Sequence, residues 1–68
     1  MKIVVNGAER ETGDATTIAE IVETERGRSV MSGVAVALNG EVVTRKAWGQ
    51  TRVANGDRIE ILVATQGG

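Results

Sequence analysis

The residue types that most often carry catalysis are missing from this 68-residue chain. It has no cysteine and no histidine, so it offers no thiolate nucleophile, no zinc–thiolate site and no Ser–His or Cys–His pair. Two of its carboxylates, Asp14 and Asp57, lie at predicted turns, where Asp usually stabilises the turn. A chain this short also has little room for a cleft that would hold a catalytic pair of carboxylates. The side chains therefore leave few catalytic options, and no metal site is expected.

The charge balance argues against nucleic-acid and membrane partners. Eight Lys and Arg residues stand against nine Asp and Glu residues, a net charge of −1, whereas binding to a polyanion needs a basic excess. Trp48 is the only aromatic residue, so bases would find almost no stacking platform. The N-terminal apolar run, Ile3–Val5, is too short for a secretory signal or a membrane span. We expect a cytoplasmic protein that is a monomer in isolation.

The C-terminal carboxylate, carried by the second of two final glycines, is the one candidate reactive group whose place in the sequence folding does not explain. Gly67 and Gly68 end the sequence, and in a chain this rich in glycine two final glycines arise by chance in about 2% of cases. Glycine has no Cβ, so its backbone can pass through a narrow channel in another protein. An extended Ala64–Gly68 segment would reach roughly 17 Å. Residues 65–68 are therefore predicted to be a flexible tail.

Three Asn-Gly pairs, at positions 6–7, 39–40 and 55–56, divide the chain into strands. This dipeptide favours type I′ turns because both residues tolerate positive φ. Apolar residues lead into the first two turns, and apolar residues follow the third. The predicted strands are Lys2–Val5, Ala8–Thr12, Val34–Leu38, Glu41–Val43 and Arg58–Ala64.

One helix is predicted at Ile18–Arg26. Apolar residues recur from Ile18 at i, i+3 and i+4, which places them on one helical face. Thr17 and Glu20 fit a capping box at the start, and Gly27 fits the position just after the end. The segment Thr44–Thr51, which contains Trp48, is predicted to be irregular. We expect Trp48 to fill the core rather than to anchor a partner.

The order of elements, β-β-α-β-β-β, predicts an α+β fold. One helix has one apolar stripe to bury, so it should pack on one face of a single four- to five-stranded mixed sheet. The last strand is rich in apolar residues and should be central, with the first strand parallel to it. This is the β-grasp, or ubiquitin-like, arrangement, and we assign it to residues 1–64.

The sheet face away from the helix is the predicted docking surface. Small residues and one leucine make a flat, mildly apolar patch there, as often found at partner sites. Leu62 is the best single contact, because it lies on the outward side of the last strand. The predicted partner-binding residues are Val4, Ala35, Ala37, Leu62, Ala64, Thr65 and Gln66.

Several segments of the chain match those of a known protein family. These segments are Met1–Gly7, Gly33–Val43, Arg45 with Trp48 and Thr51, Asn55–Ile61 and Gln66–Gly68. In these residues and in length the chain resembles the ThiS family, the sulfur carriers of thiamine biosynthesis. The loop Glu25–Ser32 departs from the family pattern, since it lacks the expected leucines and carries Arg26 and Arg28.

The resemblance implies a carrier and not an enzyme. In the family, the carboxylate of the final glycine, here Gly68, is adenylated by a ThiF-like adenylyltransferase and then becomes a thiocarboxylate. Gly67 would thread the tail into the partner. The adenylyltransferase would bring ATP and Mg, with no cofactor bound by this chain, and thiazole synthase would receive the sulfur.

The sequence leaves two other hypotheses for the function open. The small subunit of molybdopterin synthase shares the fold and the terminal Gly-Gly, although those chains tend to be longer and rich in Phe, which is absent here. A β-grasp interaction module without a carrier function is the other alternative. In that case the terminal Gly-Gly would have no purpose.

Overall fold

Five strands and one α-helix make up most of the described chain, which comprises residues 1–27 and 33–63 of a computed structural model. The elements are β1 (Lys2–Val5), β2 (Ala8–Glu11), α1 (Ile18–Arg26), β3 (Val34–Leu38), β4 (Glu41–Val43), a 3₁₀ helix (Arg45–Gln50) and β5 (Arg58–Val63). The predicted helix is confirmed, and so are the five predicted strands. Strand β2 ends one residue earlier than expected, and Ala64, the predicted last residue of β5, lies outside the described residues.

The strands form one sheet in the order β2-β1-β5-β3-β4, with β5 in the centre. Strand β1 runs parallel to β5, and Val4 and Val5 pair with Arg58 and Ile59. The other neighbouring pairs are antiparallel. A long connection through α1 lets the first and last strands run in the same direction. The predicted β-grasp fold is confirmed.

The core lies between α1 and one face of the sheet. Helix α1 buries Ile18, Ile21 and Val22, the apolar stripe that its sequence predicts. The helix begins at a complete capping box, in which the Glu20 N–H donates to Thr17 Oγ1 and the Thr17 N–H donates to Glu20 Oε1. The buried apolar residues are Ile3, Val5, Ile18, Ile21, Val22, Val36, Trp48, Val53, Ile59 and Ile61.

The expectation of irregular structure over Thr44–Thr51 is wrong, because Arg45–Gln50 forms a 3₁₀ helix. Trp48 explains the difference. Its ring is buried, its indole N–H donates to the Val43 carbonyl at 2.9 Å, and the Arg45 guanidinium lies 5.5 Å from the ring centroid. The hydrogen bond from Trp48 to the end of β4 holds this segment in a tight turn. Trp48 fills the core, as expected.

Candidate functional site: the outer sheet face and the base of the tail

The sheet face opposite α1, called the outer face here, is set by alternation along the strands. In β5, Ile59 and Ile61 point to the helix and are buried, whereas Arg58, Glu60 and Leu62 are exposed on the other side. A central strand thus presents three side chains to solvent. Within residues 1–27 and 33–63, the helix packs on the opposite face, and these side chains of the outer face are exposed.

Four apolar side chains form a continuous band on this face. Leu62 of β5 pairs across the sheet with Ala35 of β3, and Ala37 of β3 pairs with Val42 of β4. We call these four residues the outer apolar stripe. Leu62 is 65% exposed and Val42 76% exposed, and they are the two most exposed large apolar residues described. An exposed band of this kind on a small domain is typical of a binding surface.

The structure brings together three of the predicted outer-face residues and separates the fourth. Leu62, Ala35 and Ala37 lie in the stripe, as expected. Val4 lies on the same face, but its neighbour across the sheet is the charged Arg58. Val42 is a stripe residue that the sequence reasoning missed. Its signal was present in β4, where Val43 points inward and the preceding residue must therefore point outward.

The base of the predicted tail lies at the C-terminal end of the central strand. Val63 is the last described residue of β5 and pairs with Val34 of β3. Leu62 and Val63 point to opposite faces, and Val63 is 37% exposed. Both faces of the sheet are therefore partly apolar where the tail begins. The remaining predicted site residues, Ala64, Thr65, Gln66, Gly67 and Gly68, lie outside the described residues.

Comparison with known proteins identifies the family. The family model described as the ThiS family matches residues 3–68. The chain belongs to the ThiS family. It is a ThiS-type sulfur carrier of thiamine biosynthesis, as the sequence resemblance implied. A search of curated protein sequences found no match.

Two solved structures of ThiS-type proteins resemble this one closely. The crystal structure of the thiamine biosynthesis protein ThiS from Geobacter metallireducens has a TM-score of 0.82 and 31% identity, and the match covers all of both chains. The solution structure of a thiamine biosynthesis protein from the same organism has a TM-score of 0.75 and 33% identity, covering 100% of this chain and 88% of the other. The whole ThiS-family chain, including Gly67 and Gly68, is therefore aligned in both comparisons.

The charges of this ThiS-family chain leave the outer apolar stripe flanked by two groups of opposite sign. Arg58 and Glu60 lie beside it on β5, and neither makes an ion pair with another described residue. Within residues 1–27 and 33–63, no three potential metal-ligating side chains converge. No helix in this part of the chain has the length and apolar character needed to cross a membrane.

Proposed function

We propose that this ThiS-family chain carries sulfur as a thiocarboxylate on the carbonyl carbon of Gly68. The observation that carries the proposal is the family match, which runs through Gly68, together with the position of β5. That strand is central in the sheet and leads directly into residues 64–68. A central strand, paired on both sides, is a suitable support for a reactive terminus that must enter the active site of another protein.

The chemistry explains why an activating enzyme is needed. The terminal carboxylate is ionised at pH 7, and an anion resists attack by a nucleophile. A carboxylate oxygen of Gly68 attacks the α-phosphorus of ATP, and pyrophosphate leaves. Sulfur from a donor at the sulfide oxidation level then adds to the carbonyl carbon, and AMP departs with the oxygen. The result is a thiocarboxylate.

The activating partner in this proposal is a ThiF-like adenylyltransferase that brings Mg-ATP. The chain itself has neither a GxxxxGK[ST] nor a GxGxxG motif that would cradle phosphates. The thiocarboxylate then passes its sulfur to thiazole synthase. In both encounters the carrier is a protein substrate.

Docking in this proposal uses the outer apolar stripe. Leu62 supplies the largest exposed apolar side chain next to the tail, and Ala35 beside it allows a flat partner surface to approach. Val4 contributes at the margin. In this proposal Ala64 and the tail residues Thr65 and Gln66 contact the partner at the entrance of its channel. An extended segment over residues 64–68 would reach roughly 17 Å.

The test is a loading reaction with ATP, Mg²⁺, the adenylyltransferase and a sulfur donor, followed by measurement of the intact mass. The wild-type chain should gain the mass difference between one sulfur and one oxygen. A chain that lacks Gly68 should gain nothing. Gly13→Ala is the matched control, because a Cβ at this position meets nothing within 4 Å, and it should load like wild type. Equal loading of the shortened chain would refute the proposal.

A further inference from the structure

Strand β5 extends beyond its neighbour β1, and the Asn6 side chain fills part of the gap. The last residue of β1, Val5, pairs with Ile59, and the chain then turns away at Asn6. The Asn6 backbone N–H still donates to the Ile59 carbonyl at 2.9 Å. Beyond that point, the β1 side of Ile61 would have no backbone partner from β1.

The Asn6 side-chain amide takes the place of that missing partner for both the N–H and the carbonyl of Ile61. Its Oδ1 accepts from the Ile61 N–H at 2.8 Å, and its Nδ2 donates to the Ile61 carbonyl at 3.2 Å. The two residues are 55 positions apart in the sequence. Among residues 1–27 and 33–63, no other group bonds β5 on this side beyond Ile59. The side chain thus extends the two-sided support of β5 by two residues.

We propose that Asn6 is a positioning residue for the tail-bearing end of β5, an inference that rests on the proposed function of the tail. With Asn6 in place, β5 is held on both sides as far as Ile61. Among the described strands, β3 alone pairs with Leu62 and Val63, through Ala35 and Val34. Without the Asn6 amide, one-sided support begins two residues earlier, and the end of the strand frays more readily.

Fraying would weaken recognition without changing the chemistry at the terminal carbonyl. Leu62 would no longer be presented at a fixed place on the outer face, and binding would have to reorder it. Any residues of β5 that fray would also lengthen the chain between the sheet and the terminus, which lowers the effective concentration of the terminus at the partner's site. Reordering one side chain and its backbone is enough to raise the KM for the carrier by about 3- to 10-fold. The kcat should stay unchanged.

Asn39 provides a matched control at the other end of the same strand. Its Oδ1 accepts from the Arg58 N–H at 2.9 Å, and its Nδ2 donates to Asp57 Oδ1 at 3.0 Å. The φ angles of Asn6 and Asn39 are 49° and 51°, and a glycine follows each in its turn. Asn→Gly at either position keeps a turn that accepts positive φ and removes the two side-chain bonds. Only the Asn6 variant loses its bonds near the tail.

The experiment combines amide hydrogen exchange with loading kinetics for Asn6→Gly and Asn39→Gly. Asn6→Gly should accelerate exchange at Ile61 and Leu62 and raise the KM by about 3- to 10-fold. Asn39→Gly should accelerate exchange at Arg58 and leave the KM within about twofold of wild type. Unchanged exchange at Ile61 and Leu62 in Asn6→Gly, or the same KM in both variants, overturns the inference.

A second variant and the wild-type chain keep this inference separate from the proposed function. Asn6→Asp retains the acceptor for the Ile61 N–H but loses the donor to its carbonyl. Its exchange and its KM should therefore lie between those of wild type and Asn6→Gly, and it carries the test if Asn6→Gly does not fold. A wild-type chain that never loads sulfur contradicts the proposed function alone. The exchange rates at Ile61 and Leu62 would then still decide whether Asn6 holds the strand.

Discussion

Replacing Leu62 with alanine should weaken binding to the adenylyltransferase with little effect on the fold. Full burial of a leucine side chain is worth about 1.5–3 kcal/mol. Leu62 is 65% exposed in the free chain, so docking can bury about two thirds of this amount, or about 1–2 kcal/mol. Truncation to alanine removes most of that contribution. We expect the Kd to rise by about 5- to 30-fold.

Calorimetric titration of the adenylyltransferase with each variant measures this change directly. Thr24→Ala is the control, because Thr24 is an exposed residue on the helix side of the molecule. Val42→Ala tests whether the stripe extends to β4, and it should raise the Kd by several-fold. Urea unfolding should show that Leu62→Ala changes the free energy of unfolding by less than about 1 kcal/mol, since its side chain is mostly exposed.

An unchanged Kd for Leu62→Ala would refute the reasoning, because the most accessible apolar group at the base of the tail would then lie outside the interface. A similar loss of affinity in Thr24→Ala would contradict it as well. That result would place the interface on the helix side.

Three further predictions concern the framework that presents this surface. Thr17→Ala removes the helix cap and should lower the free energy of unfolding by about 1 kcal/mol in urea, and no loss would mean that the capping box contributes nothing. Trp48→Phe leaves the Val43 carbonyl without its donor and should lower the free energy of unfolding by about 1–3 kcal/mol. A change below about 0.5 kcal/mol would contradict the role given to this bond. Glu25→Gln breaks the partly exposed ion pair with Arg10 and should change the free energy of unfolding by less than about 1 kcal/mol. A larger loss would show that the pair is more than a surface contact.

The elements of the fold could be predicted because their signals are local. The apolar spacing from Ile18 and the Thr17–Glu20 capping box specify the helix within a few residues of sequence. The same holds for the two hairpins, in each of which an Asn-Gly pair lies directly between the strands. The central place of β5 follows from its apolar content, since a strand with neighbours on both sides buries more of its surface.

The 3₁₀ helix and the Asn6 bonds could not be predicted because they depend on contacts across the fold. The segment Arg45–Gln50 has no apolar periodicity, and its shape follows from the burial of Trp48. Asn6 fits a turn on local grounds alone. Its bonds to Ile61 exist only because β5 passes beside the turn, which no short-range pattern records.

The candidate site was likewise predictable only in part. Alternation in β3 and β5 predicted the outward direction of Ala35, Ala37 and Leu62. The band that joins them to Val42 depends on strand register, which emerges only in the assembled sheet. The chemistry assigned to Gly68 came from the family resemblance, and the sequence patterns alone supplied only its position at the end of the chain.

The most direct test of the central claim is mass spectrometry of the C-terminal peptide from the protein isolated from its own cells. We predict that the last residue is Gly68 and that a fraction of the molecules carries one sulfur in place of a terminal oxygen. Fragment ions should assign that sulfur to the carbonyl of Gly68. A mature chain that continues beyond Gly68, or sulfur on any other residue, would contradict the account.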